Sequence, residues 1–449
     1  MDVSGKRITV MGLGRFGGGV GVARWLAAQG AQVLVTDTAP EADLADSLAQ
    51  IEDLVAAGRI KLRLGEHDLS DFRTCQMVVA NPAVPRPWEN RYLRAAGYAC
   101  IPITTEMGLT LRRVDETIGR ERTIGITGSV GKSTTTAMIA HALGAVGEAV
   151  LMGGNIGGSL LGELDGLAPG AKPWVVLEIS SAMLHWVKEE RMRWSPRVGV
   201  MTNIAENHTD WHGNMDHYVA SKRNLLRHQV EGDGAVIGAS AAEKPALGKG
   251  ARLIVTSDEA LAGRTLRVPG AHNRLNAAMA LEACVMAVGE GQRPALVDAL
   301  CTFGGLPHRL EMVGERRGIV YYNDSKCTTP EAMLKALDAL ESAGIARANI
   351  HLLAGGYDKK IDLGPVADAA RQLGGLHCLG ATGPAIFALA KARGVRVLTL
   401  SSTLSEAVAA AQKHLKRGDA LLLSPASASW DQYPNYEHRG NEFKRLVAS

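Results

Sequence analysis

Two glycine-rich strings have the composition of phosphate-binding loops. Gly128-Ser129-Val-Gly131-Lys132-Ser133-Thr134 follows the apolar run Arg122–Thr127 and leads into a helical pattern. In that setting backbone N–H groups and the helix N-terminus can cradle phosphates, Lys132 can reach the β- and γ-phosphates, and Ser133 can hold Mg²⁺. The spacing departs from the standard loop, because Ile126 and not Gly stands five positions before Gly131. Strand, glycines, Gly-Lys-Ser and helix nevertheless agree, against the alternative of a glycine turn with an exposed lysine. Gly12-Leu-Gly14-Arg-Phe-Gly17 follows the first apolar run, and Asp37 ends the next. A dinucleotide site needs this combination: a tight turn, close backbone approach and an acid for a ribose hydroxyl. Alone it would point to NAD. A dehydrogenase does not explain the second loop, however, and the same turn could hold another nucleotide diphosphate or nothing.

Between the second loop and residue 222 lie Glu178, at the end of an apolar run, then Asn203, Glu206, Asn207, His208, Asp210, His212 and Lys222. A strand-end acid beside a phosphate loop is a natural Mg²⁺ partner, since that ion takes few carboxylates together with phosphate oxygens. His208 or His212 alone reads equally as a surface or capping residue, and Lys222, in ASKRNLLR, as a solvated helical cation. Further on come Gly270-Ala-His272-Asn273-Arg-Leu-Asn276, Leu306-Pro-His308-Arg309, Asn323-Asp324-Ser325-Lys326-Cys327-Thr328 and Ser424-Pro-Ala-Ser-Ala-Ser429-Trp-Asp431-Gln. These types suit base, phosphate and ribose contacts, although singly each could be a turn or a cap. HNRLNAAMALEACVMA reads as a capped helix with apolar core positions.

The elements that must position these residues fall into three blocks. At about 100–200 residues per domain, 449 residues predict two to four domains. The first block runs from strand RITVM (7–11) through helix VARWLAAQGA to strand VLVTD, a βαβ unit, with further strands at Met77–Ala80 and around Ile101–Ile103. The polar RRVDETIGRER that follows reads as a linker. The second block alternates RTIGIT, WVVLEIS and VGVMTNI with helical stretches, which favours a mostly parallel sheet covered on both faces. The third opens near Leu306 and has strands at Ile319–Tyr322, Ile350–Leu353, Val395–Leu400 and Ala420–Leu423. The expected class is α/β in three domains, 1–118, 119–305 and 306–449, the outer two Rossmann-like and the central one a P-loop-type ATPase.

Composition narrows the function. Hydrophobic residues at 46% and charged residues at 21% fit a globular chain, and a net charge of +3 is too small to argue for nucleic acid or an anionic membrane. Six scattered cysteines without a CxxC pair fit reduced thiols better than disulfides or zinc. No apolar run approaches the roughly 18 residues of a membrane span. MDVSGKRITVMGLG lacks a signal-peptide layout, so the expectation is a soluble cytoplasmic protein. With 51 Gly against 7 Trp, 8 Tyr and 5 Phe, backbone freedom is used heavily and aromatic stacking sparingly.

Taken in order, these strings resemble the Mur ligase family, the ATP-dependent amino-acid ligases of peptidoglycan precursor synthesis, across essentially the whole chain. TGSVGKST resembles the family's phosphate loop, LEISS its Mg²⁺ glutamate, TNIAENHTDWH its central block and GAHNRLN its adenine-side motif. NDSKCT and LLSPASASWDQYPNYEHRGNEF resemble the D-glutamate-adding branch. The resemblance implies ATP and two Mg²⁺ sites, UDP-N-acetylmuramoyl-L-alanine and D-glutamate as substrates, and an acyl-phosphate intermediate. It implies a cytoplasmic monomer serving cell-wall synthesis, shape and division, with no nucleic-acid or membrane partner. The three domains would bind, in order, the UDP-sugar, ATP and the amino acid.

Position by position, the resemblance places ATP phosphates on Gly128, Ser129, Gly131, Lys132, Ser133 and Thr134, and the nucleotide's adenine, phosphate and ribose contacts on Asn276, Arg309 and Asp324. Metal falls to Ser133, Glu178, His208 and Lys222, the last matching a lysine that is carbamylated. Catalytic roles are implied for Lys132, His208, Lys222 and Lys326. Lys326 and Thr328 flank the reacting centre, and Thr328, Lys359, Ser429 and Tyr436 match the amino-acid side. Asn155 and Ser180 match the muramoyl-peptide side, and Gly14, Asp37 and Thr38 the uridine side. Departures are Tyr436 where Phe is usual, Ala83 of NPAVP where the uridine site has Gly, EISSAMLHW without an FQLE ending, and an unusually glycine-rich first loop. Competing readings are a sister ligase adding L-glutamate or another amino acid, a nicotinamide oxidoreductase, and a non-catalytic nucleotide-binding regulator.

Overall fold

The computed structural model describes the chain except residues 1, 15–17, 191, 239–251, 262, 269, 360 and 449, so Arg15-Phe16-Gly17 of the first glycine loop lies outside the described residues. Among the described residues three sheets are present. The first holds β1 (Arg7–Met11), β2 (Gln32–Asp37), β3 (Ile60–Leu64), β4 (Met77–Ala80) and β5 (Ile103–Thr104), all parallel, in the order β3-β2-β1-β4-β5. Met77 and Val79 of β4 enter one core and Val78 and Ala80 another. A strand buried on both faces must be apolar throughout, which is why it reads as a continuous run and not as an alternation.

The second sheet holds β6 (Thr123–Thr127), β7 (Val150–Gly154), β8 (Trp174–Glu178), β9 (Val198–Met201), β10 (Gly234–Gly238) and β11 (Arg252–Thr256), all parallel, in the order β11-β10-β9-β6-β8-β7. The third holds β12 (Glu311–Arg316), β13 (Ile319–Asn323), β14 (Ile350–Ala354), β15 (Gly375–Cys378), β16 (Leu398–Leu400) and β17 (Ala420–Leu423), in the order β12-β13-β17-β14-β15-β16. Only the edge pair β12–β13 is antiparallel. By compactness the chain forms two units. Residues 1–262 with 275–300 carry the first two sheets, and residues 263–274 with 301–449 carry the third.

The linker expected at RRVDETIGRER is not one. A helix, Glu106–Thr117, runs through it, capped by Thr105 Oγ1 accepting from Gly108 N–H at 3.1 Å. Its Met107, Leu111 and Val114, with Ile118 just beyond, pack on Val175, Leu177 and Ile237 of the second sheet. That spacing marks one helical face, and the charged residues between conceal it. Val395–Leu400 shortens to β16, and the strand near Ile101–Ile103 starts at Ile103. Among the described residues no helix is long and apolar enough to cross a membrane, and all six cysteines are free.

Candidate active site

The chain leaves β6 for β7 on one side and crosses from β8 to β9 on the other, so the carboxyl end of β6 is a topological switch point, where ligands of open α/β sheets bind. The phosphate loop stands there. Gly128 has φ 147°, and a Cβ would fall 1.9 Å from Thr202 Oγ1; Gly131 has φ 85°, and a Cβ would fall 2.5 Å from Asn276 Oδ1. Both positions therefore exclude a side chain. Asn203 Oδ1 accepts from Ser129 N–H at 3.1 Å and Val130 N–H at 2.9 Å, while Thr202 Oγ1 donates to Val130 O at 2.6 Å. Ser129 Oγ lies 2.7 Å from Tyr218 OH and accepts from Ala205 N–H at 2.9 Å. Lys132 opens the helix Lys132–Ala145 and donates to Gly128 O and Ser129 O at 3.0 and 3.1 Å. No side chain caps that helix, which leaves its first turn suited to an anion. Ser133 and Thr134 follow within the same turn.

Three further groups converge on the loop. Glu178 ends β8 at 1% exposure; its Oε1 accepts from Asn155 Nδ2 at 2.7 Å, and its buried Oε2 has no hydrogen-bond partner. Lys222, on the helix Met215–Arg223, is likewise 1% exposed, so it is no solvated helical cation. Its Nζ donates to Gly128 O at 2.7 Å and lies 4.7 Å from the Tyr218 ring centre. Burial first, and then neighbouring Lys132, hold the Lys222 ammonium down to about 7, with Glu178 opposing. His208 adopts left-handed backbone, φ 53°, just before the short helix Thr209–His212. Partial burial chiefly lowers its imidazole; Lys132 and Lys222 act in the same sense and Asp210 against. Lys132, Glu178, His208 and Lys222 thus share one electrostatic neighbourhood.

His212 stands behind Tyr218, its ring centre 5.3 Å from that of the tyrosine. It is buried and pairs with Ser181 Oγ and with His217 Nδ1, both at 2.9 Å. Where an FQLE ending is lacking, His185 is buried against Trp88, Trp211 and His217. Among the described residues no three His, Cys, Asp or Glu side chains are grouped to hold a metal by themselves. One orphaned carboxylate oxygen beside a phosphate loop is the donor set of a Mg²⁺ that arrives with nucleotide phosphates, and the residues fit that ion.

In the same unit, the turn after β1 faces the turn after β4 at the first sheet's switch point. Gly12 and Gly14 have φ 90° and 67°, and a Cβ on Gly12 would meet Asn81 Cβ at 2.9 Å. Gly14 N–H donates to Asp37 Oδ2 at 3.2 Å, with Thr38 exposed next to it. Sequence reasoning does not single out Asn81; its position after β4, opening NPAVP, was the available signal. Ala83 lies outside the left-handed region, so alanine meets no backbone strain there. Ser180 Oγ accepts from Met183 N–H at 3.2 Å as a helix cap, and Asn155 is tied to Glu178. A Cβ on Gly154 would meet Glu178 O at 2.3 Å, which accounts for that glycine of GGNIGG. Asn276, 5% exposed on the helix Ala271–Val288, faces Gly131.

In the second unit β13, β17 and β14 are parallel neighbours, so the loops 324–329, 424–431 and 355–359 leave the carboxyl end of the sheet together. Asp324 accepts from Leu310 N–H at 3.0 Å and Ser424 Oγ at 2.8 Å; burial raises its carboxyl to about 7, with Ser424, Leu310 and Arg309 opposing. Lys326 Nζ donates to Tyr436 OH at 3.2 Å, a partner that phenylalanine would not supply. Lys359 Nζ lies 5.6 Å from the Trp430 ring centre, Ser429 is 2% exposed, and Thr328 precedes the helix Pro330–Ser342. Sequence reasoning misses Arg439, on which these loops converge.

Comparison with known proteins gives three matches along the chain. The Mur ligase MurD-like N-terminal domain matches residues 6–105, the Mur ligase middle domain 126–260, and the Mur ligase glutamate ligase domain 308–427. The UDP-N-acetylmuramoylalanine--D-glutamate ligase of Roseiflexus sp. is 35% identical, with all of both chains covered. The protein of that name from Pelotomaculum thermopropionicum is 34% identical over 100% of this chain and 98% of its own. Among solved structures, the UDP-N-acetylmuramate-alanine ligase MurC of Thermotoga maritima shares the fold at 20% identity and a TM-score of 0.56, covering 99% of each chain. With all three blocks matched and full-length identity above 30%, the chain belongs to the Mur ligase family.

Proposed function

We propose that this protein uses ATP to join D-glutamate to UDP-N-acetylmuramoyl-L-alanine through an acyl phosphate. The observation that carries the reading is the buried chemistry at the phosphate loop, where Glu178 keeps an unpartnered oxygen and Lys222 is held near neutrality beside Lys132. Full-length likeness to relatives bearing that name supports the choice of substrates.

In this reading residues 1–118 bind the UDP-sugar through Gly14, Asp37 and Thr38, residues 119–305 bind ATP, and residues 306–449 receive the amino acid through Thr328, Lys359, Ser429 and Tyr436. Asn155 and Ser180 serve the muramoyl-peptide side; Asn276, Arg309 and Asp324 serve the nucleotide. The L-alanyl carboxylate attacks the γ-phosphorus in line, and ADP leaves. Lys132 and the loop N–H groups stabilise charge on the transferring phosphoryl oxygens. Ser133, Glu178, His208 and Lys222 would hold Mg²⁺, which neutralises phosphate charge when bound. The D-glutamate amine then attacks the activated carbonyl, with Lys326 flanking it, and the tetrahedral intermediate expels inorganic phosphate to leave the amide.

A lysine near neutrality is also a nucleophile: its free amine adds to carbon dioxide, forming an N–C bond and releasing a proton, and becomes a carbamate anion. Such an anion at position 222 would suit a second Mg²⁺. The protein would act as a cytoplasmic monomer on small molecules. Phosphate release with ATP, Mg²⁺ and UDP-N-acetylmuramoyl-L-alanine, run across amino acids of both enantiomers, tests the proposal. D-glutamate should support release; release with L-glutamate instead would identify a sister ligase, and release with no amino acid would refute ligation.

A further inference from the structure

The loops 324–329, 424–431 and 355–359 meet on one side chain that the mechanism does not use. Arg439 lies in the first turns of the helix Tyr436–Ala448 and is 1% exposed. Its Nε donates to Ser325 Oγ at 3.0 Å and its Nη2 to Ser325 O at 2.7 Å, both in the first loop. Nη2 also reaches Ser427 O and Nη1 reaches Ala428 O, each at 3.1 Å, in the second loop. The third loop joins through the same acceptor, since Tyr357 N–H donates to Ala428 O at 2.8 Å. A Cβ on Gly356, whose φ is 151°, would stand 2.2 Å from Ala428 O and 3.0 Å from Arg439 Nη1. Only glycine lets the chain pass there. The next helical residue, Gly440, admits His308, because a Cβ would meet His308 Nδ1 at 2.1 Å; His308 O in turn accepts from Lys326 N–H at 3.0 Å.

These hydrogen-bond acceptors are carbonyl and hydroxyl oxygens, with no carboxylate among them. Burial outweighs all other influences and pushes the guanidinium down to about 10. A buried cation held by neutral dipoles is a costly way to staple loops, since an apolar side chain of similar size could fill the space. What it adds is a rigid fork that fixes several acceptors at once, together with a positive charge that Asp431 offsets less than burial penalises it. Lys326 and Lys359 sit on two of the three loops it holds.

We propose that Arg439 is the positioning residue of the acidic amino-acid subsite: without touching the substrate, it holds Lys326, Lys359 and Ser429 in register and lends its charge to dicarboxylate binding. The inference rests on the second unit being the amino-acid side. Its test uses the full chain with Arg439→Met and Arg439→Lys, KM for D-glutamate and for the UDP-sugar measured separately, and amide exchange at Tyr357 and Lys326. Arg439→Met should raise KM for D-glutamate by about a hundredfold while KM for the UDP-sugar stays within about twofold, as expected when binding groups are misplaced by about 1 Å. Guanidinium ion, and not potassium at equal ionic strength, should restore part of the loss. Arg439→Lys, which keeps the charge and loses the fork, should fall between and should speed exchange at both amides. Equal losses for both substrates without guanidinium rescue, or unchanged exchange in Arg439→Lys, would overturn the inference. If Arg439→Met does not fold, Arg439→Lys and its exchange decide alone. A wild-type protein without D-glutamate-dependent turnover would refute the functional reading instead, and the exchange measurement would still judge the pinning.

Discussion

Replacing Lys222 with methionine should yield a protein that is more stable near neutral pH and inactive as a ligase. The folded state holds the ammonium at about 7 against 10.5 for an exposed lysine. Below pH 7 both folded and unfolded chains are protonated and the folded state bears the whole penalty, about 5 kcal/mol at about 1.4 kcal/mol per tenfold change. Between pH 7 and 10.5 the unfolded chain binds more protons than the folded one. Stability therefore rises with pH across that window and the penalty disappears at its upper end. Methionine removes the penalty and loses two contacts: the 2.7 Å bond to Gly128 O and the approach to Tyr218. Together these are worth about 2 kcal/mol. The expected net gain at pH 6.5 is about 2–3 kcal/mol, shrinking to zero or reversing by pH 10. Urea unfolding of wild type and Lys222→Met in carbon dioxide-free buffer at the two pH values measures this difference. A variant less stable than wild type at pH 6.5, or a difference that does not shrink by pH 10, would refute the argument from burial. D-glutamate-dependent phosphate release should fall by about 10²–10³ in Lys222→Ala, as for other lost charge-stabilising groups. Short carboxylates should restore part of it, and unchanged turnover would remove the carbamate from the account.

Glu178→Gln keeps an acceptor for Asn155 and removes the charge of the unpartnered oxygen. Half-maximal Mg²⁺ for phosphate release should rise by at least about tenfold with little change in unfolding midpoint; an unaltered Mg²⁺ titration would count against Glu178 as a metal partner. Gly131→Ala forces a Cβ to 2.5 Å from Asn276 Oδ1 at φ 85°. It should cost more than about 1 kcal/mol and weaken ADP binding measured by calorimetry, whereas wild-type affinity would show that the loop tolerates a side chain. Burial holds His185 down to about 4 and His212 to about 3, below the ordinary 6.5. The stability they contribute is complete above pH 6.5 and lost as pH falls towards 3. Thermal midpoints should decline across that range in wild type and less steeply in a His185→Gln/His212→Gln protein; identical slopes would contradict this.

Local chemistry was legible in the sequence, and long-range burial was not. Gly128–Thr134 could be read because strand, turn and helix are consecutive, and Glu178 because it ends an apolar run. Interior strands such as β4, β9 and β17 announced themselves as unbroken apolar runs, as buried parallel strands must. Of the unread strands, β3, β7, β11 and β12 are sheet edges, with charges in IKLRL and EMVGER, whereas β10 and β15 are interior and are short runs holding glycine, GAVIG and GLHC. Glu106–Thr117 was mistaken because its buried positions are interleaved with arginines and acids. Lys222 and Arg439 sit in ordinary helical sequence, and their burial depends on partners 94 residues away at Gly128 and 114 residues away at Ser325. Spacing along the chain carries no record of such contacts.

The measurement that bears most directly on the proposed activity follows oxygen. UDP-N-acetylmuramoyl-L-alanine labelled with ¹⁸O in its terminal carboxylate is incubated with ATP, Mg²⁺ and D-glutamate, and the inorganic phosphate is analysed by mass. An acyl phosphate predicts one labelled oxygen in each phosphate released, the other remaining in the new amide. Unlabelled phosphate, or no phosphate dependent on D-glutamate, would contradict it.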